Sequence, residues 1–237
     1  MGSGKGRARR TQTTAEHSSP KRLRVNTLIV PADPLNPKVP DEHFADEASA
    51  AQAMGINVAL LDDNSLLVGN VREAIAKIPT NSGQTIYRGW MIKTADYKTL
   101  VSALHEAGTT MVTQGENYQS AHELPNWYEQ MKEITPKSVW ATNSETDQQL
   151  LKQLSGAAIV KDYVKSAKHQ WEEACYIPDV TDTEHAMNVI NNFREIRGDD
   201  LIGGIVLREF ENLVAPEMRT WWTGDHCGLI EIGRAHV

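Results

Sequence analysis

Two lysines four residues apart, Lys161 and Lys165, stand in the segment Ile159-Val160-Lys161-Asp162-Tyr163-Val164-Lys165-Ser166-Ala167-Lys168. Side chains alternate along an extended strand, so the pattern predicts Lys161, Tyr163 and Lys165 on one face and Asp162 and Val164 on the other. Ammonium groups emerging together raise the local potential, which suits a polyphosphate whose charge must be neutralised before a nucleophile approaches. An ordinary edge strand blunted by lysine has the same pattern.

A second segment, Gly203-Gly204-Ile205-Val206-Leu207-Arg208-Glu209-Phe210-Glu211, turns from buried strand to charge at its end. There a nucleotide can meet backbone groups and a carboxylate can accept from ribose hydroxyls; a surface salt-bridge cluster reads alike. Glu217 and Arg219 form a further charged pair just before Trp221 and Trp222. Nearer the N-terminus, Asp33-Pro34-Leu35-Asn36-Pro37 and Tyr87-Arg88-Gly89-Trp90 each follow a predicted strand. Loops at the carboxyl ends of parallel strands are where open α/β sheets bind ligands, so Asp33, Asn36 and Arg88 are candidate substrate contacts. Arg88 suits a carboxylate or phosphate held by two parallel hydrogen bonds. The Pro-rich loop reads equally as a stiff connector.

Other chemistries lack their signatures: the sequence holds no G-x-S-x-G, no H-E-x-x-H, no complete phosphate loop and no G-x-G-x-x-G. The histidines (His17, His43, His105, His122, His169, His185, His226, His236) show no ligand spacing and read as surface residues. Cys175 and Cys227 stand far apart without zinc-ligand partners, which fits a reducing, cytoplasmic setting. No run approaches the roughly 18 apolar residues of a membrane span. The 237-residue chain has a formal charge of −7, but unevenly. Residues 1–24 hold seven Lys/Arg against Glu16 alone, leaving 17 basic and 30 acidic residues, a net −13, in the remaining 213. An acidic body argues against a nucleic-acid face outside the tail.

The elements that must position these residues fall into two rhythms. Thr27–Val30, Ile56–Leu61, Thr85–Arg88 and Thr109–Val112 read as strands alternating with helices over Asp41–Met54 and from Thr94, which predicts a parallel-sheet α/β domain. Phe44, Ala48 and Ala51 mark the buried face of the first helix, and Tyr97, Leu100, Val101 and Leu104 that of the second. After a Pro- and Trp-marked stretch around Leu124-Pro125-Asn126-Trp127, strands come in neighbouring pairs: Ala157–Val164 with Glu172–Ile177, then Gly204–Phe210 and Met218–Trp222. Between the pairs, Thr181 and Glu184 predict a capping box for a helix with Ala186, Val189, Ile190 and Phe193 inward and Gly198 beyond its end. This second region predicts an antiparallel α+β layer.

Residues 1–24 have the composition of a disordered tail. Its basic clusters are compatible with a nuclear-localisation signal or nucleic-acid arm, with a solvated tail, or with sequence upstream of the true start. Glu231-Ile232-Gly233-Arg234-Ala235-His236-Val237 looks like the translation of a sequencing adapter, so the expectation is a reading frame that runs off its insert.

The order of the parts resembles the ATP-grasp superfamily. The resemblance is carried by Val160-Lys161-Asp162-Tyr163-Val164-Lys165, Leu207-Arg208-Glu209-Phe210 and Glu217-x-Arg219, with Pro31–Pro37 and Tyr87-Arg88-Gly89-Trp90-Met91 in support. It is similar to the divergent clade defined by one arginine and two lysines, which includes bacterial and phage proteins and the eukaryotic chaperone that assembles a translation initiation factor. The resemblance implies a Rossmann-like pre-ATP-grasp domain over 25–122 and an ATP-grasp domain over 123–230, incomplete at its C-terminus.

What it further implies is an ATP-dependent carboxylate–amine ligase working through an acyl phosphate, on a small-molecule or peptide substrate. Lys161 and Lys165 would contact ATP phosphates, Glu209 and the backbone at Phe210 the adenosine, and Arg208 and Arg219 the transferring phosphoryl group or the substrate. Such a reaction needs positioning and charge neutralisation more than covalent help. The family also uses Mg2+, held by an acid and a later acid–Asn pair that this sequence does not reach, so the 237-residue chain is expected to be inactive. The alternative is a non-catalytic ATP-binding assembly factor of the same clade.

Overall fold

The computed structural model describes residues 24–142, 145–213, 217–223 and 225–233. The basic tail up to residue 23 and the last four residues of the adapter-like segment lie outside the described residues. The chain divides into two compact units, one of the described residues up to Trp90 with Ser102–Val112, the other of Met91–Val101 with the described residues from Thr113 on.

The first unit is built on a four-stranded parallel sheet. β1 (Thr27–Pro31) pairs with β2 (Asn57–Leu61) on one side and β3 (Gly83–Tyr87) on the other, and β4 (Thr109–Met111) follows β3. Ile29, Val30 and Leu61 are fully buried, because strands covered on both faces are apolar throughout. The helix expected over Asp41–Met54 forms as a 3-10 turn capped by Asp41, running into α1 (Ala45–Ala53). Phe44 and Ala48 pack on Val30, and Gly55 ends the helix at φ +75°, a conformation that costs a side-chain-bearing residue energy. Two short helices that periodicity does not reveal, α2 (Asp63–Leu67) and α3 (Val71–Ala74), follow β2. α4 (Thr94–Glu106) precedes β4.

The second unit contains α5 (Gly115–His122), α6 (Leu124–Met131), β5 (Ser138–Trp140), α7 (Asp147–Leu151), β6 (Ala158–Lys161), α8 (Trp171–Ala174), β7 (Tyr176–Ile177), α9 (Thr183–Arg197) and β8 (Val206–Glu209). Its sheet runs β5-β8-β6-β7 with every neighbouring pair antiparallel, as the paired strands of the sequence predict. Val160 and Leu207 turn to a core shared with Leu150, Ile177, Val189, Ile190 and Phe193. β9 (Glu217–Thr223) and β10 (His226–Gly233) form a separate antiparallel hairpin. In it Glu231, Ile232 and Gly233, the described part of the adapter-like segment, pair with Arg219, Met218 and Glu217.

Four local expectations are corrected. The Pro- and Trp-marked stretch is helical, with Pro125 in the first turn of α6 where its missing N–H is harmless, and Leu124 and Tyr128 inward. Glu172–Ile177 is strand only at Tyr176–Ile177, since Trp171–Ala174 form a helical turn with Glu172 and Glu173 at its amino end. α9 is capped by Asp182, whose carboxylate accepts from His185 N at 3.1 Å, while Thr181 donates to Asp179. The strand expected over Ala157–Val164 ends at Lys161, for a reason that belongs to the site.

At the start of α2 both carboxylate oxygens of Asp63 are buried without a hydrogen-bond partner. Burial, with the charges of Asp41 and Asp62, pushes its pKa up to about 6. The folded protein thus holds a proton on Asp63 that the unfolded chain releases near pH 4, roughly the free value, so stability present at low pH is lost as pH rises through about 6. Asp63→Asn should raise the thermal midpoint at pH 7.5 and leave it unchanged at pH 4, read by unfolding scans at both.

Candidate functional site

β6 and β8 lie side by side, with Ile159 opposite Arg208 and Lys161 opposite Val206. Residues directly opposite share a face, so Ile159, Lys161 and Arg208 stand together on one side of the sheet. Ala158, Val160 and Leu207 face the core on the other. The exposed side opens into two adjoining cavities. The first, about 460 Å³, is lined by Ile159, Lys161, Val164, Lys165, Ser166, Lys168, His169 and Arg208, a set with no carboxylate. The second, about 310 Å³, is lined by Pro136, Ile159, Lys168, Trp171, Arg208, Glu209, Phe210, Glu211, Asn212 and Leu213. Ile159, Lys168 and Arg208 belong to both.

The strand stops at Lys161 because Asp162 captures the chain. One carboxylate oxygen accepts from the backbone N–H of Val164 at 2.7 Å and of Lys165 at 2.5 Å, an Asx turn that competes with extension of the ladder. The other accepts from Ile202 N and Arg197 Nε, each at 3.2 Å. Lys161, Tyr163 and Lys165 therefore do not alternate along one strand face; Lys161 and Lys165 meet because the chain bends between them. Lys161 Nζ donates to the Asp162 carbonyl at 2.8 Å. Burial pushes the Lys161 pKa down to about 8, against the pull of Asp162 and with help from Arg208. Arg208 donates to Thr135 Oγ1 at 2.6 Å, and its pKa too is lowered by burial.

Aromatic rings wall the second cavity. Trp171 stacks on Tyr176 with centroids 5.2 Å apart, and Phe210 meets both edge-on. Such a wall offers a planar, apolar contact beside the cationic one.

Of the residues singled out in the sequence, Lys161, Lys165 and Arg208 come together in the basic cavity, and Glu209 and Phe210 line its neighbour. Arg219 lies on the hairpin, with its Nε 3.0 Å from Glu217. Arg88 belongs to the first unit, where its guanidinium already holds the two oxygens of Glu47 at 2.6 and 2.8 Å above the Phe44 ring. Asp33 accepts from Leu35 N and Asn36 N at 2.8 and 2.7 Å, so its carboxylate fixes the Pro-rich loop. Sequence reasoning passed over Lys168, three residues past Lys165, and Trp171, three further on. His122 is no simple surface residue: half-buried, it stacks on Tyr118, its Nε2 lacks a hydrogen-bond partner, and burial lowers its pKa.

Residues 149–231 match the family model of an ATP-grasp domain, the third family of the clade named for its one arginine and two lysines. No curated protein matches the chain. A RimK domain ATP-grasp protein from Sphaerobacter thermophilus DSM 20745 has a similar structure, with a TM-score of 0.56 at 14% identity over 88% of this chain and 72% of that one. The D-cycloserine synthetase DcsG matches with a TM-score of 0.50 at 12% identity over 77% of this chain, which spans 58% of the synthetase. The ATP-grasp ligase PsnB, solved with a phosphomimetic variant of its minimal precursor, Mg and ADP, has a TM-score of 0.46 at 12% identity over 91% of this chain and 74% of its own. The architecture is of the ATP-grasp kind.

The divalent ion expected of such a fold does not fit the described residues. The basic cavity offers it ammonium, guanidinium and imidazole groups and no carboxylate. Nor do the described residues gather three or more His, Cys, Asp or Glu side chains able to hold a metal ion.

Two outcomes follow from this geometry. Asp162→Asn removes the partner of Arg197 and should cost on the order of 3 kcal/mol in urea unfolding; a loss under about 1 kcal/mol would mean that backbone alone holds the turn. Lys161 is charged below about pH 8 and loses its proton above it. Binding of inorganic tripolyphosphate should therefore weaken from pH 7 to pH 9 relative to Lys161→Arg, whose cation persists, as measured by calorimetric titration.

Proposed function

We propose that the second unit binds ATP, with the base and ribose in the aromatic cavity and the phosphates in the basic one. The observation that carries this reading is the junction of the two cavities through Ile159, Lys168 and Arg208. An apolar, ring-walled space joined to a carboxylate-free cluster of cations matches the two chemical halves of a nucleotide. Lys161 and Lys165 hold phosphates, and Glu209 with the backbone at Phe210 meets the adenosine.

The activity proposed is carboxylate–amine ligation on a small molecule or peptide in the cytoplasm. A substrate carboxylate oxygen attacks the γ-phosphorus, the bond to the β–γ bridging oxygen breaks, and ADP leaves. An amine then attacks the acyl carbon, loses a proton, and expels phosphate. Arg208 steadies charge on the transferring phosphoryl group, and Arg219, with Arg88, Asp33 and Asn36 of the first unit, serves the substrate. Binding without catalysis, as an assembly factor, is the second reading, and the carboxylate-free lining of the basic cavity favours it.

Lys161→Ala and Lys165→Ala should each weaken ATP binding about tenfold or more, a loss of about 1.4 kcal/mol, measured by equilibrium dialysis. Unchanged affinity in both would reduce the lysines to edge-strand charges. Carboxylate-stimulated ADP release, with the acyl phosphate trapped by hydroxylamine as a hydroxamate, separates the ligase from the assembly factor, which binds ATP and releases no ADP.

A further inference from the structure

The charges around the basic cavity have a consequence for the form in which a nucleotide enters it. Lys161, Lys165, Lys168 and Arg208 supply four cationic side chains, and the lining adds no acid to offset them. A nucleoside triphosphate near neutral pH carries roughly four negative charges, two of them nearly complete on its terminal phosphate. In most phosphoryl-transfer sites a bound divalent ion takes up part of that charge, and carboxylates fix the ion. Here the cations belong to the chain itself. Glu209 and Glu211, the acids nearest this face, line the aromatic cavity and not the basic one.

We propose that the basic cavity takes the polyphosphate as the free anion, neutralised by Lys161, Lys165, Lys168 and Arg208, with no divalent ion between phosphate and protein. The proposal rests on the nucleotide reading above and deepens it. A divalent ion placed on the phosphates would cancel two of their negative charges and stand among four cations with no carboxylate to hold it, so it competes with the side chains for the same oxygens. Lys168 has a distinct part. It is the one lysine common to both cavities, which puts it against the phosphate nearest the ribose, whereas Lys161 and Lys165 face only the outer part of the chain of phosphates. Lys165 and Lys168 are exposed and half-buried Lys161 is not, so the two exposed lysines can close on an anion at little desolvation cost.

The test compares binding of ATP and of inorganic tripolyphosphate to the 237-residue chain in excess EDTA and in MgCl2 at matched ionic strength. Both ligands are expected to bind in EDTA at least as tightly as with magnesium. Lys168→Ala should weaken both about tenfold in EDTA and lower the slope of log affinity against log salt, while Lys168→Arg restores them. ATP binding that appears with magnesium and vanishes in EDTA would overturn the proposal and leave the nucleotide site standing. No binding of either ligand under either condition would overturn both.

Discussion

A carboxylate with no solvent exposure, Asp162, ties together the parts on which the site depends. It joins the end of β6, the turn carrying Lys165, the C-terminal end of α9 through Arg197, and the loop at Ile202. A charge removed from water is costly unless paired and fully hydrogen-bonded, and here a guanidinium and three backbone N–H groups meet it. That arrangement leaves the turn little freedom. Tyr163, inside it, donates its N–H to the Ile202 carbonyl and accepts from Leu124 N at the start of α6. Its ring lies against Gly203, where φ is +71° and a Cβ would run into the ring, so only glycine fits.

With the turn fixed, the sheet can serve two purposes at once. Val160 and Leu207 are anchored on α9 by Ile190 and Phe193 in a dry core. Their neighbours along the two strands, Ile159, Lys161 and Arg208, are then obliged to face the other way, because the strand period is two. The core thus sets the position of the cations without touching them. The same alternation explains why Lys161 is more buried than Lys165: it belongs to the sheet, whereas Lys165 belongs to the turn.

The parallel sheet of the first unit and the inward face of α9 were legible in the sequence, because Ile29, Val30, Leu61, Val189, Ile190 and Phe193 repeat with the periods of their elements. Lys161, Lys165 and Arg208 were legible as residue types. Their meeting was not, since it depends on an Asx turn and an ion pair between residues 35 apart, neither of which has a periodic signature. Alternation alone extended β6 through Val164 and put both lysines on one face for the wrong reason. Lys168 and Trp171 escaped for a related cause: they sit in a 3-10 turn and a four-residue helix, too short to show a pattern. The resemblance to ATP-grasp proteins supplied residue types in order, and the fold supplied the bend that brings them together.

Three arginines were drawn into the candidate site by sequence, and their partners separate them. The guanidinium of Arg88 is matched by both oxygens of Glu47, and that of Arg219 by Glu217. An arginine already facing a carboxylate adds little net potential to its surroundings, and an incoming anion must first displace the resident one. Arg208 instead spends one donor on the neutral hydroxyl of Thr135, which orients the guanidinium and leaves its charge uncancelled by a bonded acid. It is half-buried beside Lys161, whose proton it helps to loosen. Two cations held this close on a rigid sheet repel each other, and an anion entering between them relieves that repulsion. In a body whose net charge is negative, this local concentration of uncompensated cations is what makes the cavity, and not the surface at large, the place where an anion binds.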